Sequence, residues 1–79
     1  MTNLEKYNKA FMTTLEISAD KINDELAYQK VATWDSVGHM GLIAELEESF
    51  DIMFDTDDII DFSSYKKGKE ILKKYNIEI

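Results

Sequence analysis

Apolar residues fall into helical stripes along most of this chain. Leu4, Tyr7, Phe11 and Leu15 recur at spacings of three and four, with Met12 and Ile17 widening the stripe, which predicts a first helix. Ser18-Ala19-Asp20 interrupts the rhythm, and no clean period appears from there as far as Thr33. That stretch reads as a long ordered loop with a short helical turn around Asn23 to Tyr28, pinned to the core by Ile22, Leu26 and Val31. Loops of this length are uncommon in small domains and are often functional. A second helix is expected from Asp35-Ser36, where Asp or Ser supplies the capping oxygen. Val37, Met40, Ile43, Leu46 and Phe50 form its inward stripe, with Leu42 on the shoulder.

Asp51 to Asp55 then reads as a connection. Thr56, succeeded by Asp57 and Asp58, has the form of an N-cap and acidic first turn for a short third helix carrying Ile59, Ile60 and Phe62. Ser63-Ser64 offers a cap for a last helix, with Tyr65, Ile71, Leu72 and Tyr75 inward and Lys73 and Lys74 complementing the dipole at its end. Gly68 weakens that helix by about 1 kcal/mol relative to alanine, which a close helix–helix approach would explain though the sequence alone does not show one. The predicted fold is all-α: a small four-helix bundle with a long first loop and a short third helix.

Length and composition narrow the function. Seventy-nine residues make one domain, spanning 1–79. A chain of this size buries only about 60% of its unfolded surface, leaving little room for a deep cleft. The absence of cysteine removes disulfides, thiolate metal sites and a cysteine nucleophile. A formal net charge of −7 opposes binding to nucleic acid and favours basic protein surfaces as partners. No apolar run reaches the length of a membrane span, and the polar N-terminus lacks the layout of a signal peptide, so a cytoplasmic monomer is expected. Asp55-Thr56-Asp57-Asp58 opens like a calcium-binding EF-hand loop, but Ile60 stands at the glycine position and Lys66 at the closing glutamate, so the motif fails. No carboxylate pair is accompanied by a base, nucleophile or metal motif, and the chain is not expected to be an enzyme.

Asp35-Ser36 alone is an ordinary helix start. Its sequence context makes the pair specific. The run from Trp34 to Ile52, with Asp-Ser, an apolar residue directly after, an apolar stripe ending in Leu46-Glu47-Glu48-Ser49-Phe50 and a short acidic loop, resembles the second helix of the acyl carrier protein family. The likeness continues through Asp57-Asp58-Ile59 and the Ser63-Ser64 cap, so it covers essentially the whole chain.

The resemblance implies that Ser36 receives 4′-phosphopantetheine from coenzyme A through a phosphopantetheinyl transferase. The arm's thiol would then carry acyl groups as thioesters to acyl-transferring, acyl-ligating or condensing enzymes. It further implies partner recognition by Asp35, Val37, Met40, Glu47 and Glu48, within an acidic surface that also includes Glu45, Asp51, Asp55, Asp57, Asp58 and Asp61. Val37, Leu42, Leu46, Phe50, Ile59 and Ile60 are read first as core. Gly38 and Gly41 stand where fatty-acid-synthesis carriers have acidic residues, and Trp34 is atypical there, so a specialised pathway is expected. Trp34 is read as packing the loop on the second helix. His39, the only histidine, shares nearly the face of Ser36 and is a candidate neighbour of the phosphate. Two alternatives stand beside this reading: an aminoacyl or peptidyl carrier charged by an adenylating ligase, and an acidic helical adaptor that never receives the arm.

Overall fold

A computed structural model describes residues 1–79. The chain is an all-helical bundle of four helices: α1 (Asn3–Leu15), α2 (Ser36–Phe50), α3 (Thr56–Asp61) and α4 (Tyr65–Lys74). Local caps start or stop α1, α2 and α4. Thr2 and Glu5 form a reciprocal capping box at the head of α1, with the Glu5 N–H donating to Thr2 Oγ1 at 3.1 Å and the Thr2 N–H to Glu5 Oε1 at 2.9 Å. Glu16 and Asp51, both with left-handed backbone, end α1 and α2. Ser64 Oγ caps α4 by accepting from the Lys67 N–H at 3.0 Å.

The core is one cluster with Phe11 near its centre. The ring of Phe11 meets Tyr7, Trp34 and Tyr65 edge-on at centroid separations of 5.0, 5.4 and 5.2 Å. Leu15, Leu42, Ile43, Leu46, Phe54, Phe62, Ile71 and Leu72 close around these aromatics. The buried hydroxyl of Tyr7 donates to the Tyr65 carbonyl at 2.5 Å, and burial holds its ionisation well above the ordinary phenol range. Gly68 sits where α4 crosses this cluster. A Cβ there would lie 2.2 Å from both Phe62 Cζ and Tyr7 Oη, so the close approach expected at that position is real.

The long first loop is ordered by its backbone. Its helical turn is a 3-10 turn at Ala19–Lys21, not at Asn23 to Tyr28. The latter stretch instead pairs with the α3–α4 connection: Tyr28 N–H donates to Ser63 O at 2.9 Å, and Tyr65 N–H to Leu26 O at 2.8 Å. Leu26 is buried, while Ile22 and Val31 pack partly buried against the core, as the sequence predicts. No helix is long and apolar enough to cross a membrane.

Several expected positions differ. Leu4 begins the apolar stripe of α1 yet lies exposed, because the first turn extends past the edge of the core. The inward face of α2 runs through His39, Leu42, Ile43 and Leu46, leaving Val37 82% and Met40 55% exposed. Ile43 and Leu46 are buried and Phe50 packs partly buried, as the apolar count predicts, but in the first part of the helix His39 takes the inward place that the count gives to Val37 and Met40. Leu42 is core and not shoulder. In α3, Asp55 and not Thr56 is the N-cap residue, and Ile60 faces solvent while Ile59 packs inward. Adjacent residues on a helix point about 100° apart, so with Ile59 against the core Ile60 is turned away from it.

Candidate functional site

The first turn of α2 is held by polar contacts. Asp35 has extended backbone and its Oδ1 accepts from the Gly38 N–H at 2.9 Å, so Asp35 is the N-cap and Ser36 the first helical residue. The preceding loop folds back so tightly that a Cβ on Gly38 would lie 1.9 Å from the Thr33 carbonyl oxygen. Gly38 is therefore the residue that permits this entry. Gly41 is different, since a Cβ there meets only the Thr14 methyl at 3.2 Å.

Behind the turn, Trp34 is fully buried against Phe11 and Phe62, in agreement with a packing role. Its indole Nε1–H donates to His39 Nδ1 at 3.0 Å. An indole nitrogen can only donate, so Nδ1 is the acceptor and the proton is assigned to Nε2. His39 Nε2 then donates to the Ile59 carbonyl at 2.8 Å. The imidazole lies nearly parallel to the indole, at an interplanar angle of 16°. His39 thus ties the loop, α2 and α3 together, and both ring nitrogens are spent on that tie. His39 lines the same cleft as Ser36, but neither ring nitrogen is free to bond a phosphate there.

Ser36 is exposed at the mouth of a cleft of about 330 Å³ between α2, α3 and the first loop. Met40, Ile59, Ile60 and Phe62 supply its apolar lining, and the hydroxyls of Tyr28, Ser36 and Ser63 edge it. Tyr28 Oη lies 3.1 Å from Ser36 Oγ. Met40 and Ile60 carry exposed apolar side chains at this cleft, and Val37, next to Ser36 in the chain, is exposed as well. An exposed primary hydroxyl beside an apolar cleft can accept a phosphoryl group and give what hangs from it a place to lie, so the residues present fit a phosphopantetheine arm.

The expected acidic surface divides. Glu48, Asp51, Asp55, Asp57 and Asp61 are exposed, as is Asp35. Glu47 is half-buried, and its carboxylate accepts from the Phe54 N–H at 3.0 Å, bracing the α2–α3 connection. Asp58 does not belong to the surface. It is 3% exposed, pairs with Lys74 Nζ at 2.5 Å and accepts from Tyr75 Oη at 2.6 Å. The Lys74 ammonium, then the Tyr75 hydroxyl, hold its carboxyl below the ordinary carboxylate range. No group of histidine, cysteine and carboxylate side chains is arranged to hold a metal ion.

Tyr28, Phe62 and Ser63 are site residues that the sequence does not flag. Tyr28 lies in an aperiodic loop, and only the backbone pairing to the α3–α4 connection brings it to Ser36. Comparison with protein-family models, curated proteins and solved structures finds no match to the chain.

Proposed function

We propose that this chain is a carrier protein that takes 4′-phosphopantetheine on Ser36 and presents acyl intermediates to partner enzymes of a specialised pathway. The observation that carries the reading is the exposed Ser36 hydroxyl at the first residue of α2, opening beside an apolar cleft. When bound, the arm supplies a thiol for thioester chemistry, which a chain without cysteine lacks.

The chain's own residues supply presentation. Asp35 caps the helix, and its carboxylate is exposed beside Ser36, where it can meet a basic group or the transferase's metal ion. The exposed side chains of Val37, Met40 and Ile60 give a partner an apolar centre to dock on. Glu48 and Asp51 lie farther along α2, where charge steers a basic partner surface and raises its on-rate. Glu47, engaged with Phe54, supports this face by holding its connection in place. The partners expected are the phosphopantetheinyl transferase and enzymes that ligate, transfer or condense acyl groups.

Intact-mass measurement after co-expression with a promiscuous phosphopantetheinyl transferase tests the assignment. The wild-type chain gains the arm, and Ser36→Ala gains none while keeping its melting temperature, because Ser36 is exposed. A wild-type chain that stays unmodified, or a Ser36→Ala chain modified equally well, overturns the carrier reading in favour of an acidic adaptor.

A further inference from the structure

Tyr28 belongs to the loop, yet it is among the better-fixed residues around Ser36. Its own N–H donates to Ser63 O at 2.9 Å, and the next N–H, from Gln29, donates to Trp34 O at 2.9 Å. Its ring packs edge-on against Trp34 and His39 at centroid separations of 6.5 and 5.7 Å. Trp34 and His39 are themselves locked by their mutual hydrogen bond and by Ile59 O. The phenol hydroxyl therefore has a set position, and it is aimed at Ser36 Oγ, 3.1 Å away. A serine hydroxyl at an exposed helix start otherwise turns freely among its rotamers.

Resting on the carrier reading, we propose that Tyr28 is a positioning residue for phosphopantetheinyl transfer: its hydroxyl selects the Ser36 rotamer that faces the cleft and then donates to the ester formed there. In the transfer, Ser36 Oγ forms a bond to the β-phosphorus of coenzyme A. The bond from that phosphorus to the bridging oxygen breaks, adenosine 3′,5′-bisphosphate leaves, and the Ser36 proton passes to a base of the transferase. Before transfer either hydroxyl of the pair can donate. Afterwards the ester oxygen at Ser36 has no proton, so Tyr28 is the only donor left between the two. The contact survives the reaction with one fixed direction, and it keeps the root of the arm turned towards Met40, Ile59 and Ile60.

Tyr28→Phe tests this, since it keeps the ring packing and removes only the hydroxyl. In the unmodified chain, Hα–Hβ couplings of Ser36 report a single χ1 rotamer for wild type and averaged rotamers for Tyr28→Phe, with melting temperatures within about 2 °C. With coenzyme A and a transferase, kcat/KM for Tyr28→Phe falls about three- to tenfold, the share of one neutral hydrogen bond, with the loss in kcat and not KM. The phosphodiester of the modified chain shows a different ³¹P chemical shift in the two proteins. Unchanged Ser36 couplings together with equal kcat overturn the role of Tyr28. Failure of the wild-type chain to accept the arm overturns the carrier reading instead, and the couplings of the unmodified chain still decide whether Tyr28 governs the Ser36 rotamer.

Discussion

The two halves of α2 are held in place by different forces. From Leu42 to Leu46 the helix is anchored by burial, with Leu42, Ile43 and Leu46 at most 2% exposed. From Ser36 to Met40 the apolar side chains point outward, and the turn is fixed by the Asp35 cap, the close approach of Thr33 to Gly38, and the Trp34–His39–Ile59 tie. Burial stabilises a helix but hides its side chains. Polar contacts and a glycine let the first turn stay ordered while Ser36, Val37 and Met40 remain accessible. A site that must meet several partners needs this arrangement, because its exposed apolar residues contribute little to folding and remain available for binding.

Truncation separates the halves most sharply. Leu46→Ala, which empties a fully buried place, costs about 2–5 kcal/mol of stability in chemical denaturation, whereas Val37→Ala changes it by less than about 0.5 kcal/mol. Comparable losses at the two positions would break the comparison. The glycines give the next largest contrast. Gly38→Ala forces a methyl against the Thr33 carbonyl and costs about 1–3 kcal/mol or more, despite alanine's better helix propensity. Gly41→Ala meets only a movable methyl group and gains up to about 1 kcal/mol from propensity, so it is neutral or stabilising. Equal effects at both glycines would mean that the entry turn is not held by that contact.

The smallest effect concerns Asp58, which fastens α3 to the end of α4. Its carboxyl titrates below the ordinary value of 3.8, so the unfolded chain binds its proton first as the pH falls. The stabilisation is therefore complete above the ordinary carboxylate range and is lost as the pH drops through the lower folded value. Lys74 is shifted upward by the same contact, and its contribution is present below 10.5 and fades as the pH rises through the higher folded value. Asp58→Asn lowers the melting temperature by about 5 °C at neutral pH, and its curve converges with that of wild type as the pH falls below 3.8 and through the lower folded value. Parallel curves across that range would assign the acid sensitivity elsewhere.

Much of the architecture was legible in residue order, because helix stripes, caps and acidic first turns are local signals. The all-α class, four helices, the Ser64 cap and the Asp51 to Asp55 connection all arise from neighbours a few positions apart. Ser36 as a candidate rested on the Asp-Ser start and on the helix it opens. The facing of its first turns was not legible, since a histidine filling the inward place there breaks a count based on apolar residues alone, whereas Ile43 and Leu46 farther along were placed inward correctly. Nor could composition distinguish Asp58, buried on Lys74 and Tyr75, from the exposed acids around it. Tyr28 reached Ser36 only through backbone pairing between two loops that are distant in sequence. By itself the sequence determined where helices form and which serine begins the second, because those depend on short-range backbone chemistry. The tertiary structure decided which side chains surround that serine, because long-range packing sets which loops and faces meet.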